Sequence, residues 1–246
     1  MKCWFFQSKV PPYVAAPCGI YCVKSHMKAS LASAFHQAAS VSRAALYGTE
    51  SDAQLPLNLV SDARVPFLGY CGPRYAVGNP VLLAINPGGG GDKYRERHAE
   101  DEELVPLIEA FVQADPPERR TAFERMSRVY MQHVQTWNLR NIVIPTLEAC
   151  GKTVDEVCYL NLFPYRTRKN SMPSAKALIS GWGKVVAPLL GELRPRFLIA
   201  LGKKAGSVAE RFPQPTSRLF VVQRTNGDRH VCDEAKTVLE AIRDAT

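Results

Sequence analysis

Four short apolar runs, at residues 79–86, 157–162, 196–201 and 218–223, are each followed by a loop and then by a segment with helix-like patterning. The runs are rich in Val, Ile, Leu and Phe and read as buried strands. Strands that alternate with helices pair in parallel, because a crossover long enough to hold a helix carries the chain back in the same direction. The expected fold class is therefore α/β: a three-layer α/β/α arrangement around a short, mainly four-stranded parallel sheet. Helices are expected over 101–114, 117–132 and 137–149, then over 174–192, 203–211 and 230–244.

The first third of the chain is less regular. Residues 25–47 carry the pattern of one amphipathic helix opened by Ser25, whereas 1–24 and 48–78 are punctuated by Pro and Gly and read as irregular. One domain over residues 1–246 is expected, with 79–246 as its core and 1–78 as an N-terminal helical and irregular elaboration. A chain of 246 residues, 46% hydrophobic and 22% charged, can bury a core of that size. Pro11, Pro12 and Pro17 interrupt any apolar stretch near the start, so neither a signal peptide nor a membrane span is expected. Seven cysteines without regular spacing fit a reducing compartment, and cytoplasmic localisation is expected, as a monomer.

Charge points to a class of partner. A formal net charge of +8 and a pI near 9.2 favour an anionic partner such as nucleic acid. A metal is not expected. Cys18 and Cys22 have no second close cysteine pair, and the His98–Glu100 stretch "HAE" follows "PCGIYC" in the wrong order and at the wrong spacing for a zinc deaminase. No cofactor is expected either.

In an open parallel sheet, ligands bind beyond the carboxyl ends of the strands, so the loops after Asn86, Asn161, Leu201 and Gln223 should converge on one crevice. The first of these loops lies within "NPVLLAINPGGGGDKY". Asn86 ends an apolar run and Asn161 lies inside another; either amide alone also fits the cap of a strand end. The glycines that follow Pro87 lack the Ser or Thr of a Walker loop and the spacing of a dinucleotide fingerprint. Backbone N–H groups at Gly88, Gly89, Gly90 and Gly91 can still meet an anion, or let a ligand approach closely where no Cβ stands in the way.

"AINPG" resembles the first motif of the uracil-DNA glycosylase superfamily, especially its mismatch-specific branch. "YLNLFPYRTRKNSMPSAKALISGWGKVVAPLLGELRPRFLIALGKKAG" is similar to the second half of the thermostable bacterial and archaeal branch, and the likeness covers about residues 79–245. The resemblance implies a glycosylase-like domain that binds double-stranded DNA across the strand ends. By the same resemblance Asn86 positions the attacking water, while Asn161 reads the edge of a flipped-out base. An amide at Asn161 can turn over to match the edge of uracil or of cytosine. Tyr94 and Gly88 to Gly90 would complete the base pocket, and His230 would contact the leaving base.

Arg166, Arg168, Lys169, Ser171, Lys203, Lys204, Arg224, Asn226 and Arg229 follow the strands on the side where DNA is implied. Two departures stand out. Tyr165 occupies the position of a cluster-ligating cysteine in the thermostable branch, so an iron–sulfur centre is not expected. "QRTNGDRH" replaces the usual last motif, which leaves the intercalating residue among Arg224, Asn226 and Arg229.

The function so implied is a monofunctional DNA glycosylase that hydrolyses the N-glycosidic bond of a pyrimidine and leaves an abasic site. Bare backbone at Gly88 to Gly91 replaces the bulky aromatic that blocks the pyrimidine C5 position in uracil-specific relatives. A C5-enlarged base, such as 5-hydroxymethylcytosine or its glucosylated form in phage DNA, is therefore one expectation, with a role in antiviral defence. Uracil or mismatch repair is the alternative. A non-catalytic DNA-binding or damage-sensing module, and a small-molecule enzyme sharing only the glycine loop, are alternatives of other classes.

Overall fold

The four apolar runs form four parallel strands, and a fifth strand that the sequence pattern does not announce runs antiparallel along one edge. A computed structural model describes residues 29–56, 65–88, 100–137, 139–224 and 231–246. The strands are β1 (Gly69–Cys71), β2 (Val81–Ala84), β3 (Cys158–Asn161), β4 (Phe197–Leu201) and β5 (Arg218–Val222), in the order β1-β3-β2-β4-β5. β2 pairs in parallel with β3 and with β4, and β4 with β5, while β1 pairs antiparallel with β3. β2, β3 and β4 are buried at every position, as strands covered on both faces must be.

β1 is a correction to the irregular reading of 48–78. It is only three residues long, so it carries no detectable alternation, and it exists because the strand-end backbone of β3 has a free edge to pair with. Gly69 makes the pairing possible: its φ is +114°, and a Cβ there would overlap the carbonyl oxygen of Tyr159.

Helices cover the sheet in an α/β/α sandwich. They are α1 (Ala29–Ala39), α2 (Arg43–Tyr47), α3 (Asp101–Gln113), α4 (Arg119–His133), α5 (Arg140–Ala149), α6 (Ala175–Gly181), α7 (Ala187–Leu193), α8 (Lys203–Ala209) and α9 (Asp233–Ala245). The single helix expected over 25–47 is two helices among the described residues. Ser42 stops α1 from running on, because its extended backbone and side-chain oxygen cap the N–H of Ala45 and start α2. α6 and α7 are one helical stretch interrupted by a π turn at Trp182–Val186. Gly181 lies just before that turn, where a Cβ would overlap the carbonyl oxygen of Leu162, so the helix sits tightly on the chain leaving β3.

α1 packs on α4 and α7, α2 on α6, α5 on α9, and α9 on β5. Described residues from both the N-terminal stretch and the core share one hydrophobic cluster, from Ala32 and Phe35 to Leu239 and Ile242. Among the described residues no helix is long and apolar enough to cross a membrane.

The connection leaving β2 leads to β3 on one side, and that leaving β4 leads to β5 on the other. A crevice is expected at such a switch point, beyond the carboxyl ends of β2 and β4. Asn86 lies two residues past the end of β2, and Asn161 is the last residue of β3, paired in register with Ala84.

Candidate functional site

The two asparagines are brought together by a ladder that runs past the named strands. Leu162 N–H donates to Ala84 O at 2.9 Å and Phe163 N–H to Ile85 O at 2.7 Å. The chain leaving β3 is thereby held beside the chain leaving β2 as far as Ile85, one residue before Asn86.

Asn86 is half-buried. Its Nδ2 donates to Thr167 Oγ1 and to Pro87 O, each at 3.4 Å, near the outer limit of a hydrogen bond. Thr167 is fully buried, and its own hydroxyl proton goes to Ser171 O at 2.6 Å. Since that proton is committed, Thr167 Oγ1 can only accept from Asn86. The nitrogen end of the Asn86 amide therefore faces Thr167, and Oδ1 is the end that can accept from a water.

Asn161 is 4% exposed. Its Nδ2 donates to Phe67 O at 2.8 Å, and its backbone N–H donates to Leu68 O, also at 2.8 Å. Its Oδ1 is buried with no hydrogen-bond partner among the described residues. A buried acceptor left unmet costs about 1 to 3 kcal/mol. The buried hydroxyls of Tyr47 and Tyr70 also lack a partner among the described residues, and what sets Asn161 apart is its place at the carboxyl end of β3. The fold also corrects the expectation that this amide turns over freely. Turning it would set Oδ1 against the carbonyl oxygen of Phe67, two acceptors with no proton between them.

The loop after β3 is a tight, strapped turn. Asn170 N–H donates to Thr167 O at 3.1 Å, Ser171 N–H to Arg168 O at 3.0 Å and Ser171 Oγ–H to Arg168 O at 2.8 Å. Lys169 and Asn170 both have φ of +54°, a left-handed backbone that side chains with a Cβ adopt at a cost. Arg168 and Ser171 are half-buried and Lys169 is exposed.

Arg166 does not belong to an exposed basic face. It is 4% exposed, its guanidinium grips the Asp101 carboxylate through two hydrogen bonds of 2.5 and 2.7 Å, and it lies 4.1 Å from the centre of the Phe67 ring. A cation committed in this way cannot also neutralise a phosphate from the protein surface, which corrects the expectation of a DNA contact at Arg166. Lys203 and Lys204, at the start of α8 after β4, are exposed. So is Arg224, two residues beyond β5, whose side chain runs alongside Gly202. Gly88, two residues after Asn86, is half-buried. Gly89, Gly90, Tyr94, Asn226, Arg229 and His230 lie outside the described residues.

Tyr165 is buried, and its hydroxyl donates to Val41 O at 2.8 Å. Burial pushes that hydroxyl up to about 12, so it stays protonated as a donor that ties the turn between α1 and α2 to the loop after β3. Among the described residues, no group of three or more His, Cys, Asp or Glu is placed to hold a metal ion.

The two amides are met by Thr167 Oγ1 and by the carbonyl oxygens of Pro87 and Phe67. None of these titrates near neutral pH. What the arrangement offers is oriented hydrogen bonding, suited to placing a water and gripping a polar edge. A separate cleft of about 600 Å³, lined by Arg196, Phe197, Ser217 and Arg218 among others, opens where β4 and β5 begin, at the opposite end of the sheet.

Three residues in this arrangement are not singled out by the sequence: Thr167, Phe67 and Asp101. Thr167 sits inside the "PYRTR" run, where the basic neighbours are the stronger signal. Phe67 and Asp101 carry no local signal, because their roles exist only through contacts far along the chain. The chain matches no protein-family model and no curated protein.

Proposed function

We propose that this protein is a monofunctional DNA glycosylase acting on a flipped-out pyrimidine. The observation that carries the reading is the Asn161 amide: buried, held by Phe67 O, and left with an acceptor that no described group meets. An acceptor-only ligand such as phosphate or carboxylate would leave Oδ1 unmet, whereas a base edge brings N–H groups. Asn86, one loop away, supports the other half of the reaction, since an amide with an available oxygen can orient water without needing a proton affinity of its own.

In this proposal the N-glycosidic bond breaks with its electron pair going to the leaving base, the sugar carbon takes on oxocarbenium character, and water held by Asn86 completes the new C–O bond and loses its proton to solvent. Hydrogen bonds in a water-poor pocket stabilise the developing charges. Lys203, Lys204 and Arg224 support the reading of a DNA-facing side, because they are exposed at the carboxyl ends of β4 and β5.

The base itself is the finer part of the proposal. The glycine run after Pro87 favours a pyrimidine with a large C5 substituent, 5-hydroxymethylcytosine or its glucosylated form, and a role against phage DNA. The test is a panel of duplexes bearing uracil, thymine opposite guanine, 5-hydroxymethylcytosine and its glucosylated form, followed by alkaline cleavage at abasic sites. Product on the enlarged bases supports the proposal in full. Uracil or mismatch product alone would replace defence by repair, and binding without product on any duplex would make the protein a sensor.

A further inference from the structure

Arg166, buried, and Asp101, half-buried, are oppositely charged and locked to each other beside the Phe67 ring, in positions that the proposed reaction does not itself use. We propose that they are positioning residues: through Phe67 they fix the polarity of Asn161, so that it meets its ligand as a hydrogen-bond acceptor. The inference rests on the reading of Asn161 as the base contact.

The chain of contacts is short. Asn161 Nδ2 donates to Phe67 O at 2.8 Å, and that carbonyl dictates which end of the amide faces it. The backbone of residue 67 is held on its other side, where Phe67 N–H donates to Pro164 O at 2.7 Å. Its ring is fixed by the Arg166 guanidinium, whose central carbon lies 4.1 Å from the ring centre. Arg166 in turn is held by both oxygens of Asp101 at 2.5 and 2.7 Å. Packing alone would position an aromatic ring. A charged pair stands here although apolar residues fill such space at least as stably, which is the mark of a pair kept for geometry.

Asp101 is also the first residue of α3, where a carboxylate is favoured by the helix dipole. The same pair therefore fixes the start of α3 relative to the end of β3. Ligand selectivity follows from the lock. With one Nδ2 proton committed to Phe67 O, Oδ1 is left as the acceptor that a ligand N–H can satisfy, which a base edge provides and a group offering only lone pairs does not.

The test uses the full chain and its variants Arg166→Met, which keeps an apolar stem over Phe67, and Arg166→Lys and Asp101→Asn, which keep part of the hydrogen bonding. The first readout is the NMR signal of the Asn161 side-chain amide, assigned by its disappearance in Asn161→Ala. In the parent one Nδ2 proton should be protected from exchange with solvent, and in Arg166→Met that protection should fall by about 10-fold or more. The second is the single-turnover excision rate on whichever duplex the parent cleaves, measured with DNA affinity. A misplacement of about 1 Å costs up to about 10²-fold in rate, so the rate should fall by about 10- to 100-fold in Arg166→Met, with affinity retained and partial rescue in Arg166→Lys.

An unprotected Asn161 amide in the parent would overturn the lock without any variant. So would Arg166→Met or Asp101→Asn protein that melts earlier yet keeps both the amide signature and the rate per folded molecule. Loss of the amide signature in a protein whose parent excises no base would uphold the lock and sink the glycosylase reading. Excision with an unaffected amide would do the reverse.

Discussion

Asn161→Ala should remove the proposed chemistry at little cost in stability, although the residue is 4% exposed and hydrogen-bonded. The substitution deletes the bond to Phe67 O and leaves that buried carbonyl without a donor, a penalty of about 1 to 3 kcal/mol. It also deletes Oδ1, whose burial without a partner among the described residues costs the parent about 1 to 3 kcal/mol. The two nearly cancel, so the net change should stay within about 2 kcal/mol, or under about 8 °C in melting temperature for a chain of this length. Asp101→Ala is the matched control: it removes the carboxylate that grips the buried Arg166 guanidinium, which should cost about 3 to 5 kcal/mol. Both are read by thermal melting and urea titration, beside single-turnover excision, where Asn161→Ala should fall by at least about 10²-fold. A loss of stability for Asn161→Ala as large as for Asp101→Ala would refute the reasoning, because it would make Asn161 a structural residue. Excision within a few-fold of the parent would refute it from the other side.

Asn86→Ala should retain fold and DNA affinity while its excision rate drops by at least about 10²-fold, and a rate near the parent's would remove Asn86 from the mechanism. Lys203→Gln combined with Lys204→Gln should weaken binding to all duplexes alike and flatten the log–log salt dependence by about 0.9 for each phosphate no longer neutralised; an unchanged slope would place these lysines away from DNA. Gly69→Ala should cost at least about 3 kcal/mol, since a Cβ would overlap Tyr159 O at a φ of +114°, and it should lower excision further by shifting Phe67 O. Urea denaturation that leaves the midpoint unchanged would show that β1 adapts.

The motif order and the oriented amides at the strand ends both support the proposed reading. Motif order is a property of the chain, whereas the unmet Oδ1 is a property of the fold. A sensor on the same fold would keep the second and need not keep Asn86 competent to hold water, so excision by the parent that is lost in Asn86→Ala separates the classes.

Local pattern along the chain is enough for the four parallel strands. The apolar runs at 79–86, 157–162, 196–201 and 218–223 contain β2 to β5; β2 and β4, covered on both faces, are apolar at every residue, whereas β5 at the edge opens with the exposed Arg218. The helices between them follow from apolar spacing, and the placing of Asn86 and Asn161 at one end of the sheet follows from parallel strand direction. Other features exist only once distant segments meet. β1 is three residues that become a strand only because β3 offers an edge, with Gly69 as the one residue type that fits there. Arg166 reads as a surface cation until Asp101, 65 positions away, and the Phe67 ring close around it. The direction of the Asn161 amide is open in the sequence, since its two ends differ only in which carries the protons. The carbonyl of Phe67, 94 positions away, settles it, because an acceptor can face only the nitrogen.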